Sequence, residues 1–256
     1  MIPKERLKSD YDQRWERFER KFFVSPEKAV FARTLLSQIC LRDSEYPKGK
    51  VNSLYFDTPD LDQYQKSDDG SYERKKIRIR WYDNPFNQQG MVPVYLELKS
   101  KKGFASRKQR RKILVPVGRL NKIRAGNTII DENVILRTLS ELGYFSEAPL
   151  LPIILVTYER FRFTEILTGT RLSFDWKVCS SLMAAGLGFS QANLMLEGGV
   201  IEIKGPSMEV PGSLRALGVL GTDWTRFSKY ACCLESQLEN PGSVGCFWPS
   251  GRIELL

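Results

Sequence analysis

The stretch RKKIRIRWY at residues 74–82 decides the fold class, because it alternates cationic and apolar side chains. Successive side chains of a β-strand point to opposite faces of the sheet. The pattern predicts a strand with Ile77, Ile79 and Trp81 on one face and a row of lysines and arginines on the other. Like charges at every second position repel one another, so this face indicates either an anionic ligand or an ordinary solvated sheet surface.

The same alternation recurs along the chain. It appears in residues 15–24, 51–57, 74–82, 94–101, 154–163, 171–177 and 200–205. Three of these segments carry a glutamate and a lysine two residues apart, on one face of the predicted strand. The pairs are Glu19 and Lys21, Glu97 and Lys99, and Glu202 and Lys204. About seven such strands predict a mainly β protein with one charged and one apolar face.

Helix signals are few, which leaves a helical minority beside the strands. Ser25 and Pro26 open one predicted helix, whose apolar stripe contains Phe31, Leu35 and Ile39. A second helix is predicted between Asp131 and Gly143, and a short third one over residues 228–238. The first two are expected to pack outside the sheet, in a protein of the α+β class.

One domain is predicted for residues 1–256, with a core over about 15–238. Residues 239–256 are expected to form a tail that contains a buried Trp248. The N-terminus is charged and the longest apolar stretch, 150–156, is too short to span a bilayer. No membrane insertion is therefore expected.

Composition excludes several kinds of site. The net charge of +9 favours an anionic partner without choosing among nucleic acid, membranes and phosphorylated molecules. The chain has no histidine, which excludes histidine nucleophile activation and histidine metal ligands. Five cysteines without CxxC spacing indicate neither a disulfide framework nor a zinc site, and a reduced, cytoplasmic setting fits them best.

The charged strand faces allow two arrangements. In an open sheet they would only add solubility, whereas in a barrel with helices outside they would line the lumen. We favour the lumen on the pattern itself. Such a lumen would suit a triphosphate, because arginine and lysine bind phosphates and a minority of glutamates suits the accompanying divalent cation. Carboxylates repel nucleic-acid phosphates, so no nucleic-acid partner is expected.

Eight segments in this order resemble the polyphosphate polymerase domain of the vacuolar transporter chaperone (VTC) complex, a member of the triphosphate tunnel metalloenzymes or CYTH superfamily. They are ERK (19–21), SLYFDTPDLDQY (53–64), DGSYERKKIRIRWY (69–82), YLELKSKKGFASRKQRR (95–111), TYERFRF (157–163), RLSFD (171–175), IEIKG (201–205) and FSKY (227–230). The resemblance implies an eight-stranded, closed antiparallel tunnel with packing helices outside. It also implies Mn²⁺ or Mg²⁺ and transfer of the γ-phosphoryl group of ATP to a growing polyphosphate chain.

The resemblance further assigns residues to roles. The phosphate-binding set comprises Lys21, Arg78, Arg80, Lys99, Lys108, Arg160, Arg171, Ser228 and Lys229. Glu202 corresponds to the metal-binding glutamate of the family, and Glu19 and Glu97 are further metal candidates. The residues expected to be catalytic are Arg78, Arg80, Lys229 and Glu202. Lys108, in a basic run, is expected either near a tunnel mouth or in a solvated loop.

Several functions stay open on this evidence. If water replaced the polymer as the phosphoryl acceptor, the protein would be a tripolyphosphatase or nucleoside triphosphatase. A third hypothesis is a non-catalytic module that binds polyphosphate or inositol phosphates. Large eukaryotic members of the family carry an N-terminal regulatory domain and C-terminal membrane helices, which this sequence does not show. Association with a membrane partner and the oligomeric state are left open.

Overall fold

The computed structural model describes residues 18–83, 90–103, 105–121, 123, 129–184, 193–205, 209–222 and 227–238. Its strands are β1 (Phe18–Val24), β2 (Leu41–Arg42), β3 (Lys48–Asp57), β4 (Glu73–Tyr82), β5 (Met91–Lys102), β6 (Ala105–Pro116), β7 (Leu151–Thr164), β8 (Arg171–Leu182) and β9 (Leu194–Gly205). Its helices are α1 (Pro26–Ile39), α2 (Asp62–Asp68), α3 (Val117–Asn121), α4 (Glu132–Glu141) and α5 (Lys229–Gln237), with a 3-10 helix at Gly212–Leu220.

The strands of this part of the chain form one antiparallel sheet in the order β1-β9-β8-β7-β3-β4-β5-β6, with β2 paired to β7. The prediction of a mainly antiparallel α+β fold is confirmed. In the described ranges β1 and β6 stand at the two ends of the order, and no pairing joins them. The closed eight-stranded barrel therefore stays a prediction.

Strand β4 follows the predicted alternation. Ile77 and Ile79 are fully buried and Trp81 is nearly so, because they pack into an apolar cluster on one side of the sheet. The cations between them face the other side. Burying the apolar row contributes roughly 1.5–3 kcal/mol per side chain, which fixes the face that the charges take.

Strand β6 was missed by the alternation pattern. Its sequence, ASRKQRRKILVP, carries cations on both faces and therefore shows no apolar period. Pairing with β5 along its whole length supplies the missing constraint, and Lys99 lies opposite Lys108. The expectation that Lys108 lies in a solvated loop is wrong, because Lys108 is a strand residue.

A β-bulge in β8 changes which residues face the charged side. The register shifts between Trp176 and Val178, and Lys177 takes a positive φ of 51°. A bulge of this kind inserts one residue and shifts the side-chain alternation beyond it. Asp175 and Val178 consequently share a face, although strict alternation predicts Lys177 beside Asp175.

Helix α1 has the predicted position, and Leu35 and Ile39 of the predicted stripe pack, partly buried, against the core. Pro26 occupies the first turn, where its missing N–H costs nothing. Ala29, Ala32 and Leu36 are buried, whereas Phe31 of the predicted stripe is 49% exposed. The small alanines let the helix approach the sheet closely, so the most buried positions lie beside the stripe that the large residues suggested.

Helix α4 agrees with its sequence signals at both ends. The carboxylate of Asp131 accepts a hydrogen bond from the Asn133 backbone N–H, which caps the helix. Gly143 follows the helix with φ of +79°, a conformation that favours glycine. Ile135 and Leu139 of α4 are buried against the apolar face of β3 to β6.

Helix α5 occupies the predicted position but contacts the opposite face of the sheet from α1 and α4. Its residues Tyr230, Cys233 and Leu234 pack into a cluster with Tyr55 and Val156 of that face. The two helices that the sequence predicts outside the sheet, α1 and α4, both pack against its apolar face. The sequence assigns no side to α5, which lies on the opposite face. No helix in the described ranges is long and apolar enough to cross a membrane. The predicted tail at 239–256, with Trp248, lies outside the described residues.

Candidate functional site

The strand residues predicted for the site share one face of the sheet, which we call the polar face. Paired residues of an antiparallel sheet lie on the same side, so each pairing extends this face to the next strand. The predicted residues on it are Glu19, Lys21, Arg78, Arg80, Glu97, Lys99, Lys108, Arg160, Arg171 and Glu202. Ser228 and Lys229 come to this face from α5.

The polar face is concave. Lys99 Nζ of β5 lies 3.2 Å from Glu19 Oε2 of β1. These two strands are separated by β9, β8, β7, β3 and β4 in the sheet. Their side chains can meet only if the sheet curls until its polar face surrounds a common space.

Glu97 is the centre of one charged cluster on this face. Arg78 Nε and Nη2 each lie 2.7 Å from its Oε2, Arg80 Nη1 lies 3.9 Å from the same atom, and Lys108 Nζ lies 2.5 Å from its Oε1. Burial alone would raise the pKa of Glu97, but these three cations outweigh it and lower the pKa to about 2. Glu97 is therefore a permanent anion that fixes the surrounding cations.

The two arginines of β4 are also held by hydroxyl groups. Arg78 Nη1 donates to the Tyr55 hydroxyl at 3.1 Å. Arg80 donates from Nε to Ser53 Oγ at 3.2 Å and from Nη2 to the Tyr158 hydroxyl at 3.3 Å. Guanidinium groups held on several sides are pre-organised to bind phosphate oxygens in a fixed geometry.

Asp175 is the centre of a second cluster. It is fully buried and accepts a two-pronged contact from Arg160, with Nε to Oδ1 at 2.6 Å and Nη2 to Oδ2 at 2.7 Å. Lys229 Nζ of α5 lies 2.6 Å from Oδ2. Burial opposes ionisation, but Arg160 and Lys229 keep the pKa of Asp175 below its usual value. This ion pair attaches α5 to the polar face.

Glu202 adjoins the Asp175 cluster. Its Oε2 lies 3.1 Å from Lys204 Nζ and 3.3 Å from Arg160 Nη2, and its Oε1 lies 3.9 Å from Lys21 Nζ. Burial would raise the pKa of Glu202, but the neighbouring cations Lys204, Arg160 and Lys21 keep it well below its usual value. Glu202 is therefore ionised at neutral pH.

The N-terminus of α5 covers one end of the polar face. Ser228 caps the helix, because its Oγ accepts from the Ala231 backbone N–H at 3.3 Å. The same Oγ accepts a hydrogen bond from Lys76 Nζ at 2.8 Å. The described part of the chain brings no carboxylate within ion-pair distance of Lys76. Burial, together with Lys21 and Lys99, lowers the pKa of Lys76 to about 7.

The carboxylates differ in how well they fit a divalent cation. Glu19 and Glu202 are neighbours through Lys21, whose Nζ lies 3.4 Å from Glu19 Oε1 and 3.9 Å from Glu202 Oε1. Mg²⁺ needs only one or two carboxylates when phosphate oxygens and water complete its shell, so this pair fits such an ion. Cations hold Glu97 more closely, at 2.5 Å and 2.7 Å, than they hold Glu202 or Glu19, where they lie at 3.1 Å or more. The described residues contain no cluster of three or more acidic or cysteine ligands, so a metal here would also need oxygens from its substrate.

The structure brings most of the predicted site residues together on the polar face, and one of them, Arg171, is exposed to solvent. Arg171 shares the polar face through its register with Lys204, but its side chain is exposed. Sequence reasoning missed Asp175 and Lys76 as functional candidates. The alternation of side chains along residues 171–175 and 74–82 predicts the correct face for both. Only the tertiary structure shows that Asp175 contacts Arg160 and Lys229, and that Lys76 contacts a hydroxyl group.

Comparison with solved structures finds distant similarities. A putative adenylyl cyclase from Hippeastrum, described as having a dominant triphosphatase activity, is 18% identical, with a TM-score of 0.48 over 87% of this chain and 97% of that one. A putative adenylate cyclase from Bacillus halodurans is 18% identical, with a TM-score of 0.49 over 82% of this chain and 92% of that one. No curated protein sequence matches the chain.

Comparison with protein families gives a match that covers most of the chain. The family described as the VTC domain matches residues 16–237. These residues include every strand of the sheet and the described helices up to the end of α5. The chain therefore belongs to the VTC domain family.

Proposed function

We propose that this protein is a metal-dependent polyphosphate polymerase, which transfers the γ-phosphoryl group of ATP to the end of a growing polyphosphate chain. The observation that carries the proposal is the concave face on which cations from β1, β4, β6, β7 and β9 surround the carboxylates Glu97, Asp175 and Glu202. Membership of the VTC domain family supports the same substrate class.

The cations have clear binding roles in this proposal. Arg78 and Arg80 stand side by side on β4 and would hold two successive phosphates. Arg160 donates to Asp175 from Nε and Nη2, and in the described residues its Nη1 has no protein partner. Since a guanidinium has five N–H donors, the Nη1 donors of Arg160 can bind a phosphate oxygen while Asp175 holds the side chain still.

A divalent cation would be held by Glu202 with Glu19. When bound, it would reduce the negative charge on the triphosphate and help to orient it. Glu97 has a different part in this proposal, since Lys108 and Arg78 hold its two oxygens at 2.5 Å and 2.7 Å, whereas the cations beside Glu202 and Glu19 lie at 3.1 Å or more. It would position Lys108 and Arg78 rather than bind the metal.

The transfer itself requires no covalent bond between the substrate and a protein side chain. A terminal oxygen of polyphosphate forms a new bond to the γ-phosphorus as the bond to the leaving ADP oxygen breaks. Charge accumulates on the three equatorial oxygens during this exchange, and positioned arginines and lysines stabilise it. Such a reaction requires alignment and positive charge, both of which are available here without histidine.

One incubation tests the proposal. Purified protein with ATP and Mn²⁺ is followed by gel staining for polyphosphate and by an assay for free phosphate. We expect a ladder of polymer that lengthens with time. Free phosphate without polymer would replace the polymerase with a triphosphatase, and binding without any turnover would leave only a phosphate-binding module.

The variant Glu202→Gln tests the metal assignment. We expect its polymer synthesis to fall by about 100-fold or more, because even groups that only support a metal ligand cost about 10–100-fold. Glu159→Gln is the matched control, since Glu159 also lies on a strand of the sheet but pairs with Lys48 and Lys177 on the other face. Circular dichroism checks the fold of both variants. Undiminished synthesis by Glu202→Gln would defeat the assignment.

A further inference from the structure

The end of the polar face that lies away from α5 carries aromatic rings. Tyr82 follows Arg80 by two residues on β4, and Tyr95 of β5 lies directly opposite Arg80. Same-face neighbours on a strand are about 7 Å apart, so both rings adjoin the arginine. Lys76, which contacts Ser228, is six residues from Tyr82, or about 20 Å along the strand.

Guanidinium groups accompany both rings. Arg110 lies over the ring of Tyr95 at 5.1 Å from its centroid, and Arg162 lies over the ring of Tyr82 at 5.9 Å. The two tyrosine rings meet edge to face, with centroids 6.2 Å apart. Both tyrosines are partly exposed, so this is a surface that a ligand can reach.

A glycine adds room beside these rings. Gly49 lies opposite Arg160 in the pairing of β3 with β7, and so on the polar face, but has no side chain there. A Cβ at this position would come within 3.6 Å of Arg162 Nη1. The polar face is thus lined by flat groups and an open backbone position at this end, in contrast to the lysines near α5.

Phosphate chemistry does not explain this change in lining. A polyphosphate chain has no aromatic surface, and the lysines and arginines already supply its counter-charge. A nucleobase does have such a surface, and it stacks on tyrosine rings and on guanidinium planes. Because α5 covers the other end, a nucleoside joined to a triphosphate would lie at the tyrosine end.

We propose that Tyr82 and Tyr95, with Arg110, form a stacking platform for the base of the nucleoside triphosphate. The inference rests on the proposed function, since it concerns the same substrate. It adds a direction: the γ-phosphate points toward Lys76 and α5, and the base lies at the opposite mouth. It also divides the site into a part that recognises phosphate and a part that recognises the nucleoside.

The test compares two ligands that differ by the nucleoside. The dissociation constants of ATP and of inorganic tripolyphosphate are measured by titration calorimetry with Mg²⁺ in one buffer. We expect Tyr95→Ala to lower the ratio of ATP affinity to tripolyphosphate affinity by about tenfold, the loss of one stacked base. Tyr95→Phe should keep the ratio, because the ring stays. Arg78→Met should weaken both ligands equally and leave the ratio unchanged.

The possible outcomes separate this inference from the proposed function. An unchanged ratio in both Tyr95→Ala and Tyr82→Ala overturns the platform, whatever the reaction is. A wild-type protein that binds both ligands but makes no polymer defeats the polymerase, while the ratio still decides the platform. A wild-type protein that binds neither ligand defeats both. If Tyr95→Ala fails to fold by circular dichroism, Tyr95→Leu retains apolar bulk without the aromatic face and decides in its place.

Discussion

The two sides of the concave polar face contain the same kinds of residue but arrange them differently. On the Asp175 wall, formed by β7, β8, β9 and β1, Arg160, Lys204 and Lys21 each contact a carboxylate. On the Glu97 wall, formed by β4, β5 and β6, Arg78 and Lys108 crowd around Glu97, whereas Lys76 donates to a hydroxyl.

On the Asp175 wall the cations are already neutralised by carboxylates of the protein, whereas on the Glu97 wall some cations would be neutralised only by a bound anion. Pairing on the Asp175 wall raises the pKa of Lys229, which burial alone would lower, so the ion pair is stable without a substrate. On the Glu97 wall burial and neighbouring cations lower the pKa of Lys76 to about 7, and burial lowers that of Lys108 to about 8 despite Glu97. A polyanion should therefore gain most at the Glu97 wall, where it relieves repulsion instead of replacing a partner.

The largest effect is expected on breaking the Asp175 wall. Asp175→Ala leaves Arg160 and Lys229 as buried cations without their shared counter-ion. We expect the free energy of unfolding to fall by about 3–5 kcal/mol, the usual cost of removing one partner from a buried pair. Urea denaturation measures it.

An exposed ion pair provides the control for this variant. Arg137 and Glu141 are one helical turn apart on α4 and mostly exposed, at 3.6 Å. Glu141→Ala should cost about 0.5 kcal/mol or less. If Asp175→Ala cost no more than this control, Asp175 would not be the structural anchor of its wall.

The next effect has the opposite sign and concerns the Glu97 wall. Lys76→Met removes a cation that the folded protein holds unfavourably, so we expect it to raise the free energy of unfolding by at least about 2 kcal/mol at pH 6. The pKa of Lys76 is lowered in the folded state, so its cost is complete below about pH 7 and disappears as pH rises toward its ordinary value of 10.5. The advantage of the variant should shrink accordingly.

Measuring tripolyphosphate binding by the same variant tests whether Lys76 also contributes to binding the anion. The same Lys76→Met variant should bind tripolyphosphate more weakly, although it is more stable. Lys75→Met is the neighbouring control, since Lys75 lies over the ring of Tyr144 on the apolar side of the sheet. It should change binding little and stability by about 1 kcal/mol at most. A destabilised Lys76→Met protein would contradict the view that this lysine awaits an anion.

The smallest effect extends the comparison to Glu235, a carboxylate that no cation of the described residues contacts. Glu235 of α5 is buried, and its Oε1 accepts a hydrogen bond from the Tyr64 hydroxyl at 2.7 Å. Burial raises the pKa of Glu235 from 4.5 to about 7, opposite in direction to Glu97. The folded protein therefore binds a proton that the unfolded chain releases, and this contribution to stability is lost as pH rises from about 4.5 to 7.

The variant Glu235→Gln isolates this contribution. It mimics the protonated acid, so we expect it to exceed the wild type in unfolding free energy by about 1–2 kcal/mol at pH 8, and by much less at pH 5. Chemical denaturation across this range measures the difference between the two proteins, which removes the titration of other groups. Parallel stability curves would show that Glu235 is ionised in the folded state.

Sequence patterns predicted the strands with an apolar face much better than those without one. In β4 the row of Ile77, Ile79 and Trp81 is sufficient, because burial of a period-two row has only one compact solution. In β6 the cations lie on both faces, and only pairing with β5 makes the segment a strand. The stripe predicted for α1 is confirmed only in part, because Leu35 and Ile39 pack against the core while Ala29 and Ala32 are buried in place of the larger Phe31.

The sequence by itself determined the face of nearly every candidate residue, because alternation is a local property of an extended chain. Only the tertiary structure decided which charges neutralise one another. Asp175 and Lys229 are 54 positions apart and Glu19 and Lys99 are 80 apart, so their contacts depend on how far the sheet curls and where α5 docks. Those contacts give Asp175 its counter-ions within the protein, whereas Lys76 has no carboxylate beside it among the described residues.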